Sequence, residues 1–372
     1  MNKIYLDNHT ATRPFPSAIE AMLYFYKEKW GEEGCSDYEK AQQQILDCLG
    51  AQEGSGCHFC FSGAEAVHSA FFSHYFQEVK SSGQNHILAP NTESAPILLS
   101  MQRMEEFACV GKRIAVNEQG QITREILMQA IRPRTGLLSL SWAQELTGVI
   151  QPVADLAEVC KEKNIALHVD ASHVLGKLYF RLEDLPIDYF TFDGKRIHAP
   201  QGTGGLITRK NIPFTSLVVG EKTAPMPLMA GLTQGLIENA KACDHLCLET
   251  ARLRDKLELG IRQKIPQAVV FFEQVERLPN CSAMGFPGVS GEALLYLLHQ
   301  NGVYATLGGG AQQRLSHVLI ASGIDPLLAE SALSFHLSFE TTEKEIDDAI
   351  ETICACFQRL HACSMHIMEG IE

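Results

Sequence analysis

Four short stretches of this chain carry residues whose types and spacing could do chemistry. Asp170 closes the apolar run IALHVD. A carboxylate ending a buried strand is costly unless a cation or a hydrogen-bond donor answers it. A protonated heterocyclic nitrogen is one such answer, and an N-cap for the next turn is another. The turn FSGAEA, residues 61–66, opens a helix, where Ser62, Gly63 and Ala64 could offer free amides to a phosphate. Glu65 is an awkward neighbour for that anion. FDGKRIHAPQGTGG, residues 192–205, packs Lys195, Arg196 and His198 beside glycines. Lys195, desolvated next to Arg196, could be an amine nucleophile that forms a Schiff base, although a basic surface loop explains a lone lysine as well. SWAQELTGVIQP, residues 141–152, carries Trp142 and Gln144, which could contact a planar ligand or serve structure alone.

The elements that must position these residues alternate along the chain. Short apolar runs lie at 57–61, 86–89, 113–116, 136–141, 165–170, 189–192 and 204–208, with amphipathic stretches between them. Several runs are too apolar for a solvated face, which predicts central strands covered on both sides. The alternation predicts an α/β fold with an open, largely parallel sheet. Ligands of such sheets bind beyond the carboxyl ends of the strands, where the four stretches fall. After about residue 210 the pattern changes to a long helix from Leu228 to Lys264, strands near 268–273 and 333–338, and a closing helix. Thr342 and Glu345 make a capping box for that helix, and Ile346, Ile350, Ile353 and Phe357 mark its apolar face. The expected division is a large α/β domain over 15–254 and a smaller α+β domain over 255–372 that recruits residues 1–14.

Composition narrows the function classes. The 372 residues include 31 Lys+Arg and 44 Asp+Glu, a net charge of −13, with 45% hydrophobic and 20% charged residues. That balance is globular rather than disordered. It argues against a general nucleic-acid binder, which needs clustered basic residues. No apolar run approaches the ~20 residues of a membrane helix, and MNKIYLDNHT lacks a signal peptide's apolar core. A cytoplasmic protein with no membrane partner is the expectation. Its twelve cysteines are then reduced thiols packed as small hydrophobes. Cys57 and Cys60 form a C-x-x-C inside a strand rather than at a helix start, and no second pair stands at zinc-finger spacing.

Taken together, YLDNHTAT (5–12), SGAEA (62–66), LTGVIQPV (146–153), HVDASHVLGK (168–177), FDGKRIHAPQGTGGL (192–206) and SFETTEKEID (338–347) resemble the cysteine desulfurase branch of the class V aminotransferases. The likeness runs through most of the chain. It implies the fold type I architecture of pyridoxal 5′-phosphate (PLP) enzymes, a homodimer with sites at the subunit interface, and an amino acid or amine as substrate. By the same resemblance, Asp170 pairs with the pyridinium nitrogen and His173 lies near the phenolic oxygen. Gly63 and Ala64 form the phosphate turn and Gln144 matches a ring-contacting Asn. Thr223 matches a Thr that reaches the phosphate of the second subunit.

Several positions depart from the family pattern. Aligned on Pro200 and Gly202, the Schiff-base lysine falls on Arg196 and the histidine before it on Lys195. A guanidinium stays protonated and is no substitute for an amine nucleophile. Either Lys195 serves instead or no covalent attachment forms. Asp193 replaces a phosphate-contacting serine, and Ser94 stands where a histidine stacks on the ring. ATLGGGAQQRLS (305–316) has no nucleophilic cysteine, Cys281 belonging to a different segment, and Ser334 stands where an arginine clamps the substrate carboxylate. Two readings follow. One is a PLP enzyme using Lys195 for transamination, elimination or a lyase reaction rather than desulfuration. The other is a degenerate homologue acting as dimer partner or binding protein. A nucleotide-dependent oxidoreductase is disfavoured, because no G-x-G-x-x-G follows the first strand.

Overall fold

The computed structural model describes residues 3–30, 35–220, 225–309 and 313–369. The strands are β1 (Ile4–Tyr5), β2 (Gly56–Cys60), β3 (His86–Pro90), β4 (Val110–Ile114), β5 (Thr135–Ser141), β6 (Ala166–Asp170), β7 (Tyr189–Asp193), β8 (Gly204–Thr208), β9 (Val269–Val270), β10 (Cys281–Gly285), β11 (Val303–Tyr304) and β12 (Ala332–His336). Seven of them form one sheet in the order β2-β8-β7-β6-β5-β3-β4. Pairing is parallel from β7 through to β4, whereas β8 runs antiparallel to both neighbours. The expected α/β architecture with a mainly parallel sheet is thus present. Every residue of β3, β5, β7 and β8 is buried. Helices cover both faces, so these strands have no polar alternation to show.

One strand lies off its expected place. The apolar run at 113–116 predicts a strand there, but β4 spans Val110–Ile114 and starts on an exposed residue. It is an edge strand, and its limits follow its ladder with β3, from His86↔Val110 to Pro90↔Ile114, rather than its own apolarity. Beyond the large sheet, β12, β10 and β9 form an antiparallel sheet, and β1 pairs with β11. Of the run expected at 268–273 only Val269–Val270 is paired. The sequence CSAMG of β10 carries too little apolar bulk to announce a strand, yet all five of its residues are buried.

A single helix, Met226–Lys264, serves both sheets. Met226, Met229, Leu232 and Leu236 join the core beside the large sheet, and Leu253, Leu257 and Ile261 join the core beside the small one. The last helix, Glu343–Glu369, starts at the expected capping box. The Thr342 amide donates to Glu345 Oε2 at 2.8 Å, and the Glu345 amide donates to Thr342 Oγ1 at 3.2 Å. Ile346, Ile350, Ile353 and Phe357 are buried in the small-sheet core. No helix among the described residues is long and apolar enough to cross a membrane.

The long helix also holds the basic loop in place. A Cβ on Gly231 would meet Pro200 Cγ at 2.7 Å, and one on Gly235 would meet Ala199 Cβ at the same distance. Asn239 donates to the Ile197 carbonyl and, at 3.2 Å, to that of Gly235. The helix approaches this closely only because two side chains are missing. Gly235→Val should therefore force helix and loop apart and cost about 1–3 kcal/mol of stability. Urea unfolding checks this as a lower midpoint with an unchanged slope.

Candidate functional site

Three neighbouring strands deliver the chemistry at their carboxyl ends. Ser141 of β5 pairs with Asp170 of β6, which pairs with Thr191 of β7, two residues before Asp193. Asp170 Oδ1 accepts from the Ser172 amide at 3.1 Å and hydroxyl at 2.7 Å, with Thr191 Oγ1 at 3.4 Å. Burial pushes its carboxyl up to about 6, against the pull of those donors. No salt bridge reaches it among the described residues. Glu93, fully enclosed, accepts from the Ser141 amide at 3.0 Å and hydroxyl at 2.6 Å. Burial pushes Glu93 up to about 7, and the charge of Asp170 adds to the rise.

The adjacent basic residues diverge at the turn Gly194–Arg196. Arg196 faces inward. It donates to the His9 carbonyl and, at 2.9 Å, to His173 Nε2, while its Nη2 lies 3.9 Å from Glu145 Oε2. Burial alone would raise Glu145, but His173, His9 and the Arg196 charge hold it well below the usual carboxylate range. His173 is pushed down to about 3 by burial and by Arg196, so it is neutral. Lys195 points elsewhere, with its Nζ 3.9 Å from Asp193 Oδ2 and its side chain 39% exposed. Lys177 is a buried amine, donating to the His173 carbonyl at 3.2 Å and lowered to about 8 by burial and by Arg196.

At the turn expected to take a phosphate, the chain's own side chains answer the flanking amides of Phe61 and Glu65. Ser62 caps its helix by accepting from the Glu65 amide at 3.1 Å, and Glu65 Oε2 accepts from the Phe61 amide at 2.9 Å. A Cβ on Gly63 would meet Asp193 Cβ at 2.6 Å, so Asp193 lies directly against the turn, and Ala64 is exposed. The sequence leaves Gln144 either a contact to a planar ring or a structural role. Its Oε1 accepts from the amides of Leu146 and Thr147 at 2.7 and 2.8 Å, and its Nε2 donates to the Thr92 carbonyl at 3.3 Å. Both ends of the amide are used in bracing its own turn, and none is left for a ring. Ser94 starts the helix Ala95–Met104 with its hydroxyl buried and unpartnered. Thr223 lies outside the described residues. Ser334 is wholly buried, its hydroxyl donating to the Leu146 carbonyl at 2.6 Å.

Residue reading missed Glu145, His9, Glu93 and His336. Glu145 and His9 sat inside quoted motifs, but nothing in a local pattern says that residues 9, 145 and 173 meet. His336, at the end of β12, has its Nε2 2.9 Å from the Glu145 carbonyl oxygen and its ring centroid 5.3 Å from that of His9.

These groups fit a pyridoxal cofactor only in part. The ring end suits it, because Asp170 is a half-buried acid whose Ser172 and Thr191 donors all reach the one oxygen Oδ1. The covalent anchor does not, because the inward residue is a guanidinium. At the phosphate end the carboxylates of Asp193 and Glu65 stand beside the helix-start turn and would repel an anion there.

The aminotransferase class-V family model matches residues 4–222. A cysteine desulfurase of Cereibacter sphaeroides is 32% identical over 394 residues, with all of both chains covered. One from Nostoc sp. (strain PCC 7120) is 29% identical over 98% of this chain and 95% of its own. Among solved structures, a NifS-like protein superposes with a TM-score of 0.88 at 26% identity, covering 96% of this chain and 100% of its own. A NifS-like protein from Rickettsia africae, at 22% identity and a TM-score of 0.84, covers the same shares and supports the fold.

Glu93 generates a pH test. Its folded-state value lies above its ordinary 4.5, at about 7, so the native state binds the proton more tightly than the unfolded chain. Its burial penalty is absent below about pH 4.5, grows as pH rises, and is complete above about pH 7, where it reaches roughly 3 kcal/mol. Glu93→Gln should be more stable than the native chain at pH 8 and converge with it near pH 5. Urea unfolding at the two pH values checks this, and an equal difference at both would contradict it.

Proposed function

The chain belongs to the aminotransferase class-V family, and we propose that within it this protein is a cysteine desulfurase relative that does not release sulfur from cysteine. It acts instead as a binding protein or subunit partner built on the desulfurase fold. The family is PLP-dependent, and when bound that cofactor supplies an electron sink for carbanion chemistry. Asp170 would hold its ring nitrogen and His173 its phenolic oxygen.

One observation carries the proposal: the inward group at the anchor position is Arg196, fixed by the His9 carbonyl and His173 beside buried Glu145. A guanidinium cannot act as an amine nucleophile at neutral pH. Lys195, its neighbour, pairs instead with Asp193 beside the phosphate turn. The remaining chemistry is missing in the same way. Cys281 is buried in β10, its sulfur 3.2 Å from His336 Nε2 and 3.6 Å from the Leu146 carbonyl oxygen, and burial pushes the thiol up to about 12. A thiol so placed is neither a thiolate nor free to travel. Ser334, spent on a backbone carbonyl, gives no bidentate grip on a substrate carboxylate. In place of catalysis, the residues of this site hold one another. We extend the proposal to a homodimer in which a second copy covers the exposed Tyr24, Tyr26 and Trp30, at and just beyond the end of the helix Pro16–Lys27.

The test is an assay for sulfide and alanine from L-cysteine with PLP supplied, alongside borohydride treatment and peptide mass mapping. The expected result is no turnover above the PLP-only background and no cofactor fixed to Lys195. Arg196→Lys should allow borohydride to fix the cofactor at position 196. Sulfide release by the native protein, or labelling of Lys195, would overturn the proposal.

A further inference from the structure

His9 is the least satisfied group of the site. It is 5% exposed, and neither ring nitrogen has a hydrogen-bond partner. A buried imidazole in that condition costs free energy unless something takes its lone pair. Carboxylates face both nitrogens, Glu145 Oε2 at 3.4 Å from Nε2 and Asp7 Oδ1 at 3.9 Å from Nδ1, and neither is close and aligned enough to complete a hydrogen bond. His173 Nε2 approaches Glu145 Oε2 to 3.7 Å, and one ligand atom from each of His9, Glu145 and His173 lies within 4.8 Å of the others. Two atoms bound to one tetrahedral ion at ~2.0–2.2 Å stand roughly 3.3–3.6 Å apart. The two separations from Glu145 Oε2, 3.4 and 3.7 Å, fall at or near that range, and the imidazole ligand atoms stand within 4.8 Å of each other.

We propose that His9, Glu145 and His173 form a binding site for a divalent transition-metal ion. Two imidazoles and a carboxylate select borderline ions such as zinc, cobalt(II) or iron(II) over calcium and magnesium, which prefer all-oxygen sets. Around the ligands, His336 contacts the Glu145 carbonyl at 2.9 Å and Lys177 binds that of His173, so two ligand residues have their backbones held. Arg196 is the competing cation. It donates to His173 Nε2 and stands beside Glu145 Oε2, and an ion on those atoms must displace the guanidinium. The three donors come from residues far apart in the chain, so no metal motif is visible in the sequence. The inference goes beyond the proposed function and does not depend on it.

The test uses the full chain, stripped with chelator and titrated with cobalt(II) and then zinc(II), followed by calorimetry and visible absorption. The expected result is one equivalent of cobalt bound, with bands of a nitrogen- and oxygen-ligated ion and no thiolate charge-transfer band, which separates this site from the twelve cysteines. Affinity should fall about 100-fold in Glu145→Gln and in His9→Ala, with His9→Phe as the variant that keeps a ring in the space. Arg196→Gln should tighten binding about tenfold by removing the competitor. No stoichiometric binding by either the native protein or Arg196→Gln would overturn the proposal. So would binding indifferent to His9 and Glu145, or binding that carries the thiolate band.

Discussion

Arg196 brings a permanent positive charge into a pocket that water hardly reaches, and the structure around it is arranged to answer that charge. Glu145, 4% exposed, supplies the counter-charge at 3.9 Å, while His173 and the His9 carbonyl take guanidinium protons. Such a pair gains little over an apolar core of the same shape, but removing one partner strands the other. That asymmetry makes the two groups depend on each other for their place in the site. The buried charge of Arg196 is thus matched by a buried acid.

The fold makes this meeting possible by ordinary means. Parallel β5, β6 and β7 end side by side and place Ser141, Asp170 and Asp193 along one edge. The turn after β5 carries Glu145, the turn after β6 carries His173, and the turn after β7 carries Arg196. The N-terminal segment contributes His9 because β1 pairs with β11 and Asp7 bridges to His336 of β12. The long helix then closes over the Arg196 turn through Gly231 and Gly235. The two sheets therefore meet at the candidate site.

Much of this was legible in the amino-acid sequence, and the boundary is physical. Strands buried on both faces announce themselves as apolar runs, so β5, β6, β7 and β8 were placed within a residue. The Thr342–Glu345 capping box was readable because its partners are three residues apart. Edge and small-residue strands were not: β4 takes its limits from the ladder with β3, and β10 from its place between β9 and β12. Asp170 could be singled out because an acid ending a buried strand is costly in any context. The direction of Lys195 against Arg196 could not, since adjacent residues of one turn share every local signal. Glu145 was hidden for a related reason. Gln144 looked like the ring-contacting residue, but its amide closes the turn and leaves the neighbouring carboxylate to face the site.

The central claim is that Arg196 and Glu145 hold each other inside the site. A double-mutant cycle tests it most directly, with Arg196→Met, Glu145→Gln and the double variant compared by urea unfolding. If the pair is what keeps both groups buried, each single change costs about 3–5 kcal/mol, and the double change costs about 2 kcal/mol or more less than their sum. Costs that add within about 0.5 kcal/mol would show that the two groups do not depend on each other, and would contradict the account.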